Sequence, residues 1–560
     1  MNQVNRTAAN RALLKREKAR RAYQQTATLA VPQTALQITP QSTPLTATEQ
    51  LNNAGGFTPV LDDAARLRRF LTLGVDGGTY YVSAHKLALD NAAVVARMAE
   101  TDPKTLVDTI VEISTKGRAP RQQPALFALA YAASIPEAAP TALAALPLVA
   151  RTGTHLFEFA GYAQQFRGWG RGLRKAVAKW YTAKEPGALA YQSVKYRQRE
   201  GWSHRDLLRL AHPKSETPAT RATFDWITHG SIGNQTPELI TAFLEAQTAT
   251  DSDTWVRLIR NNGLSWEMLP DIALDHIAVW DAILDTGIGQ TALMRQLPRL
   301  TRLGMLPTIG GRTGEVVKLL TAPGRIAKGR LHPISLLIAQ RTYAAGRSWR
   351  GTAEWEPTRA IVDALDNAFY TAFGNVKPSG SRMMLALDVS GSMAAPISGQ
   401  AITAREASAA LALVQLATET QAMAVGFTAK AGSDHWFDGS ALTPLSISPR
   451  QRLDDAVRAV SDLPFGGTDC ALPMIHARDK GLEIDSFVVY TDNETWAGDV
   501  HPDVVLRNYR LASGIDAKLV VVGMTATKFT IADPNDPGML DVAGFDAAVP
   551  NLISEFARVA

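Results

Sequence analysis

Between about residues 60 and 375, apolar positions recur every three or four residues, as in LDDAARLRRFL (61–71) and PALFALAYAAS (124–134). That period lines up one face of an α-helix. Strand-like alternation is scarce, and Gly/Pro breaks near Pro136, Pro186, Pro270 and Pro307 divide the tract into short helices. No fixed repeat length is visible. Stacked helix pairs bury a continuous core without strict repetition, so the pattern predicts an irregular α-solenoid.

The pattern changes at Pro378-Ser379-Gly380. Short apolar runs, MMLALDVS, QAMAVGFTA, SFVVYTD and AKLVVVGM, now alternate with the helical stretches AREASAALALVQLA and LDDAVRAVSDL. Apolar strands interleaved with helices imply a parallel sheet covered on both faces, a Rossmann-like α/β domain. Ligands of such sheets bind at the carboxyl ends of the strands. At the other end of the chain, residues 22–56 are rich in Gln, Thr, Pro and Ala. They lack the apolar content to build a core and read as a flexible linker. Residues 1–21 hold seven cations against Glu17 alone. The expected organisation is therefore a basic, flexible arm and linker (1–56), a helical-repeat domain (57–377) and an α/β domain (378–560).

Composition narrows the class. Apolar residues make up 46% and charged residues 20% of the 560, a folded rather than disordered balance. No apolar run reaches the ~18 residues of a membrane span, and no apolar stretch follows the basic N-terminus as in a secretory signal. Cys470 is the only cysteine, which excludes a disulfide scaffold and a cysteine-based zinc site. The expectation is a cytoplasmic, monomeric protein with no membrane contact. Net charge is only +5, but it is unevenly spread: residues 382–560 carry −9 and residues 1–381 carry +14. Such a split points to a polyanion for the N-terminal part; solvated surface charge without a ligand is the alternative.

The polar residues at the strand ends have a pattern of their own. Asp388, Ser390 and Ser392 alternate in one tight loop, PFGGTDC (464–470) supplies Thr468, and TDNE (491–494) supplies Asp492. Hydroxyls and carboxylates converging from three loops suit a hard divalent cation such as Mg²⁺, which takes about six oxygens and keeps some as water. This DxSxS…T…D order resembles the metal-ion-dependent adhesion site of von Willebrand factor A domains. By that resemblance, Asp388, Ser390, Ser392, Thr468 and Asp492 hold one divalent cation directly or through water. The alternative is that the same groups only cap loops and helix starts.

Cations concentrate in residues 167–214. In GWGRGLRKAVAKWYTAK, Arg171, Lys175 and Lys179 share one helical face, with Arg174 nearby, while Leu173, Val177 and Trp180 form the opposite stripe. Lys195, Arg197 and Arg199 follow. A helix carrying Arg205 and Arg209 and closing near His212 then starts at Ser203, with Asp206 completing a capping box. Clustered cations release counterions from phosphates. Trp169, Tyr181, Tyr196 and Trp202 either stack on unpaired bases or pack in the core.

The segments GGTYYVSAHKLALDNA, WGRGLRKAVAKWY, KYRQREGWSHRDLLRLAH, PFGGTDCALPMIHA, YTDNETWAGDVHP and TIADPNDPGMLDVAGFD together resemble the Ro ribonucleoprotein family, whose helical part is the TROVE domain. The resemblance runs from about residue 60 to the C-terminus. It implies a ring of HEAT-like helices closed by the A-type domain, with small noncoding Y RNAs on the outer basic surface. It also implies misfolded RNAs with single-stranded ends in the central hole. Lys195 and His212 would touch RNA, and a 3′-to-5′ exoribonuclease would act beside the protein in RNA quality control. The long N-terminal arm and the Ser-Gly form of the metal loop depart from the family pattern. On this reading the protein is not an enzyme. The chain lacks a phosphate loop of the G-x4-G-K-S/T form and any H-E-x-x-H. A metal-dependent nuclease and a metal-dependent protein-adhesion module are the alternatives.

Overall fold

The computed structural model describes residues 38–74, 84–119, 121–199, 201–215, 217–329, 331–348, 352–374, 376–397, 402–429, 441–449, 451–461, 466–544 and 548–558. The basic arm, residues 1–21, lies outside them, as do residues 22–37 of the expected linker.

Short helices follow one another from Asp63–Leu73 to Arg359–Ala372. Their ends have local causes. Asp62, Asp102, Thr152, Ser203 and Asp251 each accept a first-turn backbone N–H with the side chain. Gly117, Gly230 and Gly263 close helices in the left-handed conformation. Three of the expected Pro breaks fall between helices or at helix starts: Pro186 opens Pro186–Lys195, and Pro136 and Pro307 lie in connections. Pro270 caps the short 3₁₀ turn Asp271–Asp275. Pro147 and Pro298, by contrast, sit within helices.

Each helix packs mainly on neighbours one or two places along the chain, the mark of a solenoid. Its first half has its own core, running from Leu67 through Leu126, Phe157 and Trp180 to Leu208. The second half does not. Trp255, Trp280, Leu297, Leu337 and Phe369 belong to one continuous core with Leu385, Leu387, Tyr490 and Val522 of the C-terminal sheet. The repeats and the α/β domain thus share a hydrophobic interior.

The sheet has the spatial order Met539–Ala543, Lys518–Gly523, Ser486–Thr491, Met383–Asp388, Ala422–Phe427, Leu442–Pro444. All pairings are parallel except the last. The four strands legible as apolar runs are there. The two edge strands were not anticipated, and neither were the helices Leu472–Asp479, Pro502–Ser513 and Val549–Ala557. Even residues of the first strand, Met384 and Ala386, face a separate core on the far side of the sheet.

Both ends of the helical array reach the α/β domain. Arg69, on the helix Asp63–Leu73, is fully buried there. It donates to the carbonyls of Phe529 (2.8 Å) and Thr527 (3.3 Å) and pairs with Asp541. At the other end Arg341 pairs with Glu406, and Arg452 with Asp363. Array and domain form a closed circuit.

One expectation is corrected. Residues 38–56 are not a flexible linker. They run over the α/β domain and form a two-residue β-pairing, Gln50–Leu51 with Phe57–Thr58. Their polar composition, which signalled disorder, supplies hydrogen bonds to that domain instead of a core of its own. Gln41 and Asn52 are buried in it.

Candidate nucleic-acid and metal sites

The basic tract folds as its pattern required. Arg171–Thr182 is a helix, and Leu173, Val177 and Trp180 are fully buried. Full burial of each contributes about 1.5–3 kcal/mol. Trp180 also donates its indole N–H to the Ala150 carbonyl (2.5 Å). With that stripe anchored, Arg171, Arg174, Lys175 and Lys179 all lie exposed. The next exposed cations come from the connection, Arg197 and Arg199, and from the helix His204–Ala211, Arg205 and Arg209. The capping box at Ser203 and Asp206 is present, with both reciprocal hydrogen bonds. His212 is exposed at the C-cap in the left-handed conformation (φ 46°). Among the described residues, no carboxylate is within ion-pair distance of Arg171, Arg174, Lys175, Lys179, Arg197, Arg205 or Arg209.

Lys195 differs from its neighbours. It is half-buried, 3.4 Å from Glu267, and donates to the Tyr191 hydroxyl at 3.0 Å. Arg199 lies 3.8 Å from Glu158. The aromatics divide. Tyr181 is fully buried and hydrogen-bonded to His204 Nδ1 (2.8 Å), so it packs in the core and does not stack on bases. Trp169 and Trp202 lean on each other, 5.5 Å between ring centroids, and keep partial exposure, as does Tyr196.

His204 sits behind the basic face. Burial, with Lys184 nearby, depresses its pKa to about 4. The unfolded chain binds this proton below pH ~6.5, whereas the folded chain does not until about pH 4. Stability from this residue is therefore complete above ~6.5 and lost as pH falls toward 4. The melting temperature should drop across that window, and drop less in His204→Gln. Parallel curves for the two proteins would show that His204 does not titrate as described.

At the carboxyl ends of the strands, the three expected loops converge. Asp388, Ser390, Ser392, Thr468 and Asp492 are all buried. Asp388 accepts from the Ser390 backbone N–H (2.9 Å) and the Thr491 hydroxyl (2.7 Å). The Ser390 and Ser392 hydroxyls lie 3.0 Å apart. Among the described residues, two oxygens of this set have no hydrogen-bond partner: Thr468 Oγ1 and Asp492 Oδ2. Buried polar atoms are rarely left so. Burial pushes both aspartic carboxyls up from their ordinary range, and Asp492 is pushed further by the charge of Asp388. Orphaned oxygens and crowded, dry carboxylates are what a hard cation would compensate, and the donor set fits one. Among the described residues no cluster of three or more His, Cys, Asp or Glu could hold a metal. This set has two carboxylates, and its remaining donors are hydroxyls.

Sequence reasoning missed several supports. Arg405, from the following helix, donates to the carbonyls of Val389 (2.7 Å) and Ser390 (2.9 Å) and fixes the first loop. Thr491 stands in the quoted TDNE segment and was legible; nothing in the sequence pointed to Arg405. Glu494, in the same segment, faces the N-terminal segment, where Asn53 Nδ2 donates to it at 2.6 Å.

Comparison with known proteins agrees with this layout. The TROVE domain model matches residues 50–238 and 228–381, and the Ro60 vWA domain model matches residues 382–557. The RNA-binding protein RO60 of Deinococcus radiodurans is 41% identical over 531 residues, 93% of this chain and 97% of its own. The RNA-binding protein RO60 of Caenorhabditis elegans is 36% identical over 587 residues, 90% and 89% respectively. The crystal structure of the D. radiodurans RO (RSR) protein matches with a TM-score of 0.67 at 41% identity, covering 89% of this chain and 99% of that one. With a TROVE domain followed by a Ro60 vWA domain along nearly its whole length, this chain belongs to the Ro60 family.

Proposed function

We propose that this protein is a noncatalytic RNA-binding scaffold. It holds small, structured Y-type noncoding RNA on the outer basic face and takes the single-stranded ends of misfolded RNA into the ring. It thereby serves RNA quality control beside a 3′-to-5′ exoribonuclease in the cytoplasm, as a monomer. The observation that carries this reading is the set of exposed cations Arg171, Arg174, Lys175, Lys179, Arg197, Arg205 and Arg209, without a carboxylate at ion-pair distance among the described residues, in a TROVE-family chain. Two relatives named as RNA-binding proteins support it. Phosphate contact positions structured RNA without reading sequence, and the Trp169–Trp202 pair offers partly exposed rings to unpaired bases.

The α/β domain holds one divalent cation, Mg²⁺, through Asp388, Ser390, Ser392, Thr468 and Asp492. Two-metal nucleases need several carboxylates around ions ~4 Å apart. Two buried carboxylates among hydroxyls favour a single ion that orders the loops.

Gel-shift titration tests the scheme on one RNA carrying either a 3′ single-stranded tail or a blunt end. Tailed RNA should bind more tightly and remain intact. Lys195→Ala with His212→Ala should weaken binding several-fold, and Asp388→Ala should remove Mg²⁺ binding and leave RNA affinity nearly unchanged. Equal affinity for tailed and blunt RNA would refute threading. Mg²⁺-dependent cleavage lost in Asp388→Ala would make the protein a nuclease.

A further inference from the structure

The N-terminal segment, residues 38–58, lies directly on the loops that carry the metal-site residues. Gln41 is the centre of that contact. Its side chain is fully buried, and all of its hydrogen-bonding capacity is used. The amide nitrogen donates to Asp469 Oδ1 (2.8 Å) and to the Val500 carbonyl (2.9 Å). The amide oxygen accepts from the Thr495 hydroxyl and the Gly498 backbone N–H. Asp469 adjoins Thr468 in one metal loop, and Thr495, Gly498 and Val500 belong to the loop that follows Asp492. One glutamine thus staples two of the three loops together.

A second contact lies closer still to Asp492. The carboxylate of Glu494 accepts from Asn53 N (2.8 Å), Asn53 Nδ2 (2.6 Å) and Ala54 N (3.2 Å). Glu494 in turn donates its backbone N–H to Asp492 Oδ1 (3.1 Å). Asn52 adds a hydrogen bond to the Thr495 carbonyl (2.7 Å). The loop held in this way also grips Thr468 from behind: Trp496 N and Ala497 N both donate to its carbonyl, at 3.1 and 3.0 Å. The fit is tight enough that a Cβ on Gly56 would lie 1.9 Å from the Thr495 carbonyl oxygen.

We propose that Gln41 and Asn53 are positioning residues of the metal site, and that the segment 38–58 is a strap that preorganises the Thr468 and Asp492 loops for the cation. The inference rests on the reading of Asp388, Ser390, Ser392, Thr468 and Asp492 as a divalent-cation site. Glu494 without its three donors would swing toward solvent or toward Asp492. Thr468 and Asp492 without the Gln41 staple would keep their identity but lose their mutual placement. Groups that orient metal ligands from outside typically govern 10–100-fold in metal affinity.

Calorimetric titration of Mg²⁺ into the full chain tests this, alongside melting curves in chelator and in saturating Mg²⁺. Gln41→Met keeps the buried volume and removes the four hydrogen bonds. Asn53→Ala changes an exposed side chain and leaves folding intact. Each should weaken Mg²⁺ binding about 10-fold and shrink the Mg²⁺-induced rise in melting temperature, with Asn53→Ala melting near the wild type in chelator. A merely structural strap would lower melting in chelator and leave Mg²⁺ affinity in place, and that result would overturn the proposal. Absence of Mg²⁺ binding in the wild type, indistinguishable from Asp388→Ala, would instead remove the metal reading on which it stands.

Discussion

Charge reversal at Arg171, Lys175 and Lys179 together should lower affinity for small structured RNA roughly 500-fold at about 0.1 M salt. Each phosphate contact contributes about −0.9 to the slope of log affinity against log salt, so three lost contacts amount to ~10^2.7 at that concentration, and the slope itself should shallow by about 2.7. The three side chains are exposed on one face of the helix Arg171–Thr182, opposite the buried Leu173, Val177 and Trp180. Folding should therefore be spared, because surface changes away from packed features usually stay within about 0.5 kcal/mol. Binding measured from 50 to 300 mM salt, with circular dichroism on the same samples, decides the matter. An unchanged salt slope would place the RNA elsewhere on the molecule.

Arg69→Leu should destabilise the chain by about 3–5 kcal/mol, the typical result of removing one partner of a buried ion pair. Among the described residues Asp541 would keep the Thr530 hydroxyl (2.7 Å) alone, and the Thr527 and Phe529 carbonyls would lose the Arg69 donor inside the seam. Leucine cannot replace the planar fork that reaches three acceptors at once. Urea unfolding followed by tryptophan fluorescence gives the number. A loss below ~1 kcal/mol would mean that water fills the seam without cost.

Much of this was legible along the chain. A period of three to four over some three hundred residues could only be helical, and runs such as SFVVYT between turns could only be central strands. The edge strand Leu442–Pro444 is three residues long and ends in proline, which leaves no pattern to read. Met539–Ala543 interrupts its apolar run with Asp541, the partner of Arg69, so a tertiary contact overrode local alternation. The metal loops could be found because their donors are close in sequence or sit at strand ends. Gln41 could not, since it acts on residues more than four hundred positions away. Glutamine in a Gln/Thr/Pro-rich tract carries the same local signal whether it is solvated or buried. Tyr181 shows the reverse difficulty. Its position beside Trp180 on a basic helix suits base stacking, and only packing reveals that the ring points inward.

Both seams joining the helical array to the α/β domain combine ion pairs with apolar burial. At the first, Arg69 meets carbonyls and a carboxylate while Leu73 enters the shared core; at the second, Arg341 meets Glu406 and Arg452 meets Asp363 while Phe369 and Leu337 merge with Tyr490 and Val522. Water can substitute for hydrogen bonds at modest net cost, whereas it cannot substitute for apolar burial. Parting either seam would therefore expose apolar surface as well as break ion pairs, so water alone does not compensate at either end of the array.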